Sequence, residues 1–262
     1  VSTETIMVER AGGIVTVTLN RPDRKNAANA QMWQELFETF VTVARTRSDR
    51  ALVLTGAGDA FCSGADIADP TGVAGTPADP HLVRMRTMAR VMQTLHELPQ
   101  PTIAKINGAA AGAGLSLALN CDLTVAAETA RLSEIFTRRG LSVDGGSSWL
   151  LPRLVGLHKA KELAYFAEVL TGAEAAAFGL VNRAVPADEL DEAVDDWARR
   201  LAAGPPLALS MTKRLLNSGS LVSLSQALED EARSQTVNFG TEDTKEAMRA
   251  FAEKRDPNFE GR

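Results

Sequence analysis

Apolar and polar residues alternate over Ile14-Val15-Thr16-Val17-Thr18-Leu19, and the run stops at Asn20-Arg21-Pro22. Alternation with period two that ends on a turn signal predicts a half-buried strand. Over 30–43 the period changes, with Met32, Leu36, Phe37, Phe40 and Val43 recurring at helical spacing, so a helix follows. Ala51-Leu52-Val53-Leu54-Thr55 is apolar almost throughout and ends at Gly56, the pattern of a short strand covered on both faces. Thr102-Ile103-Ala104-Lys105-Ile106 and Cys121-Asp122-Leu123-Thr124-Val125-Ala126 read as further strands. The stretch 81–98 reads as a helix, and 112–120 as a helix built from small residues. Between them 69–80 carries three Pro and two Gly, which predicts a loop able to flex over a bound ligand. Strand, strand and helix in repeating order predict an α/β fold, and pattern alone leaves open a spiral of such units or a doubly wound sheet.

After Pro186 the character changes, and 187–203, 207–216, 224–238 and 241–254 all carry helical periodicity, punctuated by Pro205-Pro206. The chain therefore divides into an α/β core over 1–186 and a helical region over 187–262. Amphipathic helices without a sheet of their own bury their apolar faces on the core or on another subunit, so an oligomer is expected.

Composition narrows the function classes. With 262 residues and 45% hydrophobic content the chain can bury a full core. The net charge of −5 is spread along the chain, which leaves no basic surface for nucleic acid and no polybasic membrane anchor. Three Trp and one Tyr offer few platforms for stacked bases. No apolar run approaches the ~20 residues of a membrane span, and the first ten residues lack the charged-then-apolar order of a secretion signal. A cytoplasmic protein is expected. Cys62 and Cys121 form no Cys-x-x-Cys pair, and His81, His96 and His158 have no mutual spacing of a metal site or triad.

The candidate chemistry lies in two small-residue turns, Phe61-Cys62-Ser63-Gly64-Ala65-Asp66-Ile67 and Asn107-Gly108-Ala109-Ala110-Ala111-Gly112-Ala113-Gly114. Each leads from a strand-like segment toward a helix-like one, a setting in which backbone N–H groups stay free to grip an anionic oxygen. Gly108, Gly112 and Gly114 do not form Gly-x-Gly-x-x-Gly, which argues against a dinucleotide-binding oxidoreductase.

Together these turns resemble the oxyanion-hole loops of the enoyl-CoA hydratase/isomerase (crotonase) superfamily. The resemblance covers nearly the whole chain. Asn20-Arg21-Pro22 with Asn26-Ala27-Ala28-Asn29 is similar to the family's opening turn and its CoA-cradling segment. Gly140-Leu141-Ser142-Val143-Asp144-Gly145-Gly146-Ser147, Leu151-Pro152-Arg153-Leu154-Val155-Gly156, Ala175 with Phe178-Gly179-Leu180-Val181, and Ala250-Phe251-Ala252-Glu253-Lys254-Arg255 follow in family order. The resemblance implies a spiral of ββα units with a C-terminal helical trimerisation region, a trimer or a dimer of trimers (a hexamer), a role in fatty-acid metabolism, and a CoA thioester as substrate with no metal or redox cofactor.

Carried over residue by residue, the resemblance places the oxyanion donors on the N–H groups of Ala65 and Ala113. Family hydratases activate water with two Glu, and the matching positions here are Ser116 and Phe136, neither of which is a base at neutral pH. Glu134 lies two positions from Phe136, and on a regular element its side chain would point elsewhere; it is expected to be a solvated or structural charge. Asp144 stands where an Asp carries or assists the chemistry in family isomerases, and a carboxylate beside apolar groups has its pKa raised toward the operating pH. A helix cap is the other reading of Asp before Gly-Gly-Ser. Asp66 is expected to cap a helix after the first loop, with Ile67 near the adenine side of CoA. Arg24, Lys25 and Ala27 line the CoA segment, with the two cations facing phosphates. Trp149 and Phe136 line the acyl pocket, and Phe251 with Lys254, three residues apart, offers one helix face to adenine and phosphate. The leading expectation is an enoyl-CoA double-bond isomerase. A slow or atypical hydratase (a lyase), and a non-catalytic acyl-CoA-binding or RNA-associated protein, are the alternatives.

Overall fold

The structure, a computed structural model, describes residues 5–67 and 79–262. The ligand-covering loop expected over 69–80 lies outside these residues except for its last two positions. Strands β1 (Ile6–Ala11) and β2 (Ile14–Leu19) form a hairpin across Gly12-Gly13, and α1 (Ala30–Arg45) follows. Its start is set by Asn29, whose Oδ1 accepts the Met32 N–H at 3.0 Å, satisfying one of the free donors of the first turn. Met32, Trp33, Leu36, Phe40 and Val43 form its buried stripe.

Three similar units come next: β3 (Ala51–Gly56), β4 (Ala60–Cys62) and α2 (His81–His96); β5 (Thr102–Ile106), β6 (Ala109–Ala111) and α3 (Ala113–Leu119); β7 (Leu123–Ala127), β8 (Arg131–Ser133) and α4 (Ser147–Phe166). A 3-10 turn over Ile135–Arg139 separates β8 from α4, which is broken at Gly156. Each unit leaves its first strand in a six-stranded sheet of order β1-β2-β3-β5-β7-β10 and its second in a four-stranded sheet of order β4-β6-β8-β9, where β9 is Leu170–Thr171 and β10 is Arg183–Val185. Pairing is parallel from β2 to β10 and from β4 to β8. The chain is thus a spiral of ββα turns, with α5 (Gly172–Ala177) between β9 and β10.

All six residues of β3 are buried, as the unbroken apolar run implies for a strand covered on both faces. One covering element is α6 (Leu190–Ala203), which packs on β2, β3, β5 and β7 and buries Leu190, Ala193, Val194 and Ala198. Although it lies beyond residue 186, α6 packs with the spiral. The helices that stand away from the core are α7 (Pro206–Gly219), α8 (Leu224–Phe239) and α9 (Glu242–Glu253). α7 buries none of its residues and α8 only Ser234, leaving Leu216, Leu224, Leu228, Val237, Phe239, Met248 and Phe251 exposed. No helix among the described residues is long and apolar enough to cross a membrane.

Candidate active site

The four-stranded sheet arranges the site. Because β4, β6 and β8 run parallel side by side, their C-terminal ends emerge together, and ligands of open α/β sheets sit beyond such ends. After β4 comes Ser63-Gly64-Ala65, after β6 comes Gly112-Ala113, and after β8 comes Glu134. A Cβ built on Gly64 would lie 2.9 Å from the Ala111 carbonyl oxygen and 3.8 Å from the Ala113 nitrogen, so the two small-residue turns touch. The first turn is clamped by Ala28, whose N–H donates to the Gly64 carbonyl at 2.8 Å and whose carbonyl accepts the Asp66 N–H at 3.0 Å. Between those two bonds the Ala65 N–H is left without a partner among the described residues. Ala113 opens α3, where a first-turn N–H has no partner within the helix. The pair of N–H groups can therefore hold a developing oxyanion.

Gly114 explains how close the second turn comes, since a Cβ there would meet the Cys62 carbonyl oxygen at 2.1 Å. The turn before α4 is tied in similarly: Gly145 (φ +60°) leaves room for the Ser116 side chain, which its Cβ would meet at 2.7 Å. Ser116 is fully buried, its hydroxyl 3.1 Å from both the Asp144 and Gly112 carbonyl oxygens and 2.9 Å from the Ser147 hydroxyl. The hydratase position thus holds a structural hydroxyl.

Asp144 does not cap α4. Gly146 is the capping residue and provides no side-chain bond. The Asp144 Oδ1 is buried with no hydrogen-bond partner, and burial pushes its pKa from 3.8 up to about 6. A carboxylate partly withdrawn from water is a stronger base than a fully solvated one. Phe136 is buried in the 3-10 turn with its ring edge over Gly112.

Glu134, expected as a solvated or structural charge, is not solvated. It is 2% exposed, its Oε1 is hydrogen-bonded to the Ser147 hydroxyl at 3.2 Å, and its Oε2 has no partner. The directional argument fails because Glu134 lies at the junction of β8 and the 3-10 turn, on neither regular element. Burial first, and then the nearby Asp144 charge, raise its pKa from 4.5 to about 7, against the lowering effect of the Ser147 bond. No sequence signal marks Glu134 apart from its place after a strand end.

Other expected contacts are distributed differently. Asp66 pairs with Arg21 at 2.9 Å, and the Arg21 guanidinium also donates to the Ala27 carbonyl; the helix that Asp66 is expected to cap falls outside the described residues. Arg21 and Asn26 were not picked out by type alone. The Asn26 side chain is fully buried, and its Nδ2 donates to the Ala57 and Ala60 carbonyls at 2.9 and 2.8 Å, holding the opening turn against β4. Lys25 is ion-paired with Asp59, while Arg24 is exposed beside it and Ile67 is 82% exposed. The Trp149 ring packs edge-on against His96 (centroids 5.4 Å apart), lies under the Arg153 guanidinium, and lines a cavity with Lys213 and Leu216 of α7. Lys254 does not share a helix face with Phe251, because it is the left-handed cap that ends α9 (φ 56°). Both are exposed, Phe251 at 86%.

Known proteins resemble this chain over nearly its whole length. The family model for enoyl-CoA hydratase/isomerase matches residues 9–262. The chain is 40% identical over 262 residues to a probable enoyl-CoA hydratase of Rhodobacter capsulatus, with 100% of both chains covered. It is 37% identical over 254 residues to the 1,2-epoxyphenylacetyl-CoA isomerase of Escherichia coli, covering 95% of this chain and 96% of that one. The crystal structure of an enoyl-CoA hydratase from Bacillus anthracis superposes with a TM-score of 0.93 at 32% identity, over 99% of this chain and 100% of the other.

Proposed function

The chain belongs to the enoyl-CoA hydratase/isomerase family and has the crotonase fold, and from that membership we propose that it moves the double bond of an enoyl-CoA thioester. The Ala65 and Ala113 N–H groups donate to the thioester oxygen. The Asp144 carboxylate removes a proton from C2 of a 3,4-enoyl chain, the electron pair passes into the thioester, and negative charge collects on the oxygen between the two donors. Protonated Asp144 then returns the proton at C4, leaving the double bond at C2–C3. Each oxyanion donor typically contributes about 10²–10³ in rate. No metal or redox group takes part in this scheme, and the CoA ester is substrate.

The observation that carries this reading is the half-buried Asp144 carboxyl, whose Oδ1 is buried without a partner and whose pKa is raised to about 6, beside a serine and a phenylalanine where the hydratase bases stand. Water addition is a second reading, favoured by the second buried carboxyl, Glu134. That carboxyl is 2% exposed and is hydrogen-bonded to Ser147, a poor station for activating water, so isomerisation is preferred. The bare apolar faces of α7 and α8 support assembly into a trimer or a dimer of trimers. Exposed Phe251 and Lys254 are the proposed CoA contacts of α9, with Arg24 and Lys25 on the opening turn.

The test is Asp144→Asn, assayed on trans-2-, cis-3- and trans-3-enoyl-CoA esters with isomerised and hydrated products separated. Loss of a lone proton carrier costs about 10²–10⁴ in rate, whereas CoA-ester affinity should stay within about threefold. Near-native turnover in the variant would remove Asp144 from the chemistry.

A further inference from the structure

We propose that Glu134 is a positioning acid of this site, a neutral carboxyl whose own proton completes the hydroxyl chain Glu134–Ser147–Ser116 and so holds the Asp144 main chain and the oxyanion peptide in place. The inference rests on the enolate reading above and deepens it. Its basis is a count of protons. Three links run in series: Glu134 Oε1 to Ser147 Oγ at 3.2 Å, Ser147 Oγ to Ser116 Oγ at 2.9 Å, and Ser116 Oγ to the Asp144 and Gly112 carbonyl oxygens, both at 3.1 Å. Backbone carbonyls only accept, and each hydroxyl supplies one proton. An ionised Glu134 also only accepts, so two hydroxyl protons would have to serve three links, and one link would be two lone pairs facing each other. Protonated Glu134 supplies the third proton, and every link points one way, from Glu134 toward the carbonyls.

The far end of the chain gives the acid its effect. The Gly112 carbonyl and the Ala113 N–H belong to one planar peptide unit, so a hydroxyl that fixes the carbonyl also fixes the direction of the oxyanion donor. The same hydroxyl reaches the Asp144 carbonyl, which also accepts the Ser147 N–H at 3.1 Å. Ser116 thus joins the donor and the proton carrier, and Glu134 sets which way Ser116 donates.

The surroundings favour the neutral form. Glu134 Oε2 is buried without a partner, which is costlier for a charged oxygen than for a neutral one. Among the described residues no cation faces it: α3 carries no charged residue, Arg153 is the first on α4 and lies over Trp149, Arg138 of the 3-10 turn donates to the Phe166 carbonyl, and Arg139 of that turn and Arg131 of β8 are exposed. The charged group that acts on it is Asp144, and burial with that charge raises the Glu134 pKa to about 7. The competent state has Asp144 ionised and Glu134 protonated. Activity then falls on the acid side as Asp144 takes a proton and on the alkaline side as Glu134 loses one, with apparent values belonging to the pair.

Two measurements test this. In difference infrared spectra of wild type against Glu134→Gln, which need no substrate, the carbonyl band of a protonated carboxylic acid should be present in the wild type at pH 6, absent in the variant, and titrate away by pH 9. In deuterium oxide, wash-in at the α-carbon of butyryl-CoA should give a bell-shaped pH profile. Glu134→Gln, whose amide donates at every pH, should lose the alkaline limb. Glu134→Met, which cannot donate, should exchange at least about tenfold more slowly than Glu134→Gln, the scale expected of a misplaced catalytic group. Absence of the infrared band, an alkaline limb retained in Glu134→Gln, or equal rates in the two variants would overturn the proposal. If the wild type exchanges no α-proton, the enolate reading fails by itself, and the infrared band still decides the state of Glu134.

Discussion

Replacing Gly114 with alanine adds a single methyl group, yet it should disable the site. The new Cβ would stand 2.1 Å from the Cys62 carbonyl oxygen and 2.8 Å from its carbonyl carbon. Both are backbone atoms of β4, so no side chain can swing aside. Restoring ordinary contact of about 3.4 Å requires α3 and β4 to separate by roughly 1.3 Å. Overpacking of this kind costs about 1–3 kcal/mol of stability. The catalytic effect is larger, because Ala113 is the neighbouring residue and Ala65 follows β4 by three positions, so the shift opens the gap between the two donors. A misplacement of about 1 Å can cost 10²-fold, similar to deleting one oxyanion donor. The assay is turnover of a 3-enoyl-CoA ester, beside urea unfolding at one protein concentration. A drop of about 100-fold with a stability loss near 2 kcal/mol is expected. If Gly114→Ala turns over like wild type, the two N–H groups do not act together and the oxyanion assignment falls.

Three further outcomes follow from particular contacts. Holding the Glu134 acid at about 7 in the folded protein, against 4.5 ordinarily, makes the folded state bind the extra proton. Stability therefore declines as pH rises from about 4.5 through 7, and Glu134→Gln should gain on wild type by about 3 kcal/mol between pH 5 and 8; a difference constant with pH would show Glu134 already ionised. Arg21→Met removes the cation facing Asp66 at 2.9 Å and should cost about 2 kcal/mol, below the value for a fully buried pair because Arg21 keeps some exposure; a loss under about 0.5 kcal/mol would reduce the pair to a surface contact. Light scattering should find a trimer or hexamer, and Leu228→Asp, on the α8 face shared with Leu224, should shift it toward smaller species, whereas a wild-type monomer at micromolar concentration would refute the assembly.

Local periodicity was enough to place many of the long elements, although not α4, the longest helix, which holds Pro152 and is broken at Gly156. The alternation of β2, the apolar run of β3 and the stripe of α1 each reflect how one segment meets a core, and that pattern is written in consecutive residues. The chemistry carried by residue type was equally legible: small residues at both turns, Ser116 and Phe136 in place of the hydratase bases, and Asp144 before two glycines. The strands of the small sheet were not legible as strands. β4, β6 and β8 have three residues each, too few to show a period, and they exist because partners some fifty and twenty residues away pair with them. Since those strand ends gather the site, side-chain environments there also lay beyond sequence reasoning. Glu134 could be a solvated or a structural charge until Ser147 and Ser116 close around it, and Lys254 looks like a partner of Phe251 until α9 ends on it in a left-handed turn. A residue's type sets which proton it can hold. Burial and neighbours brought in from distant segments set whether it holds it at neutral pH, and only the folded chain brings those neighbours together.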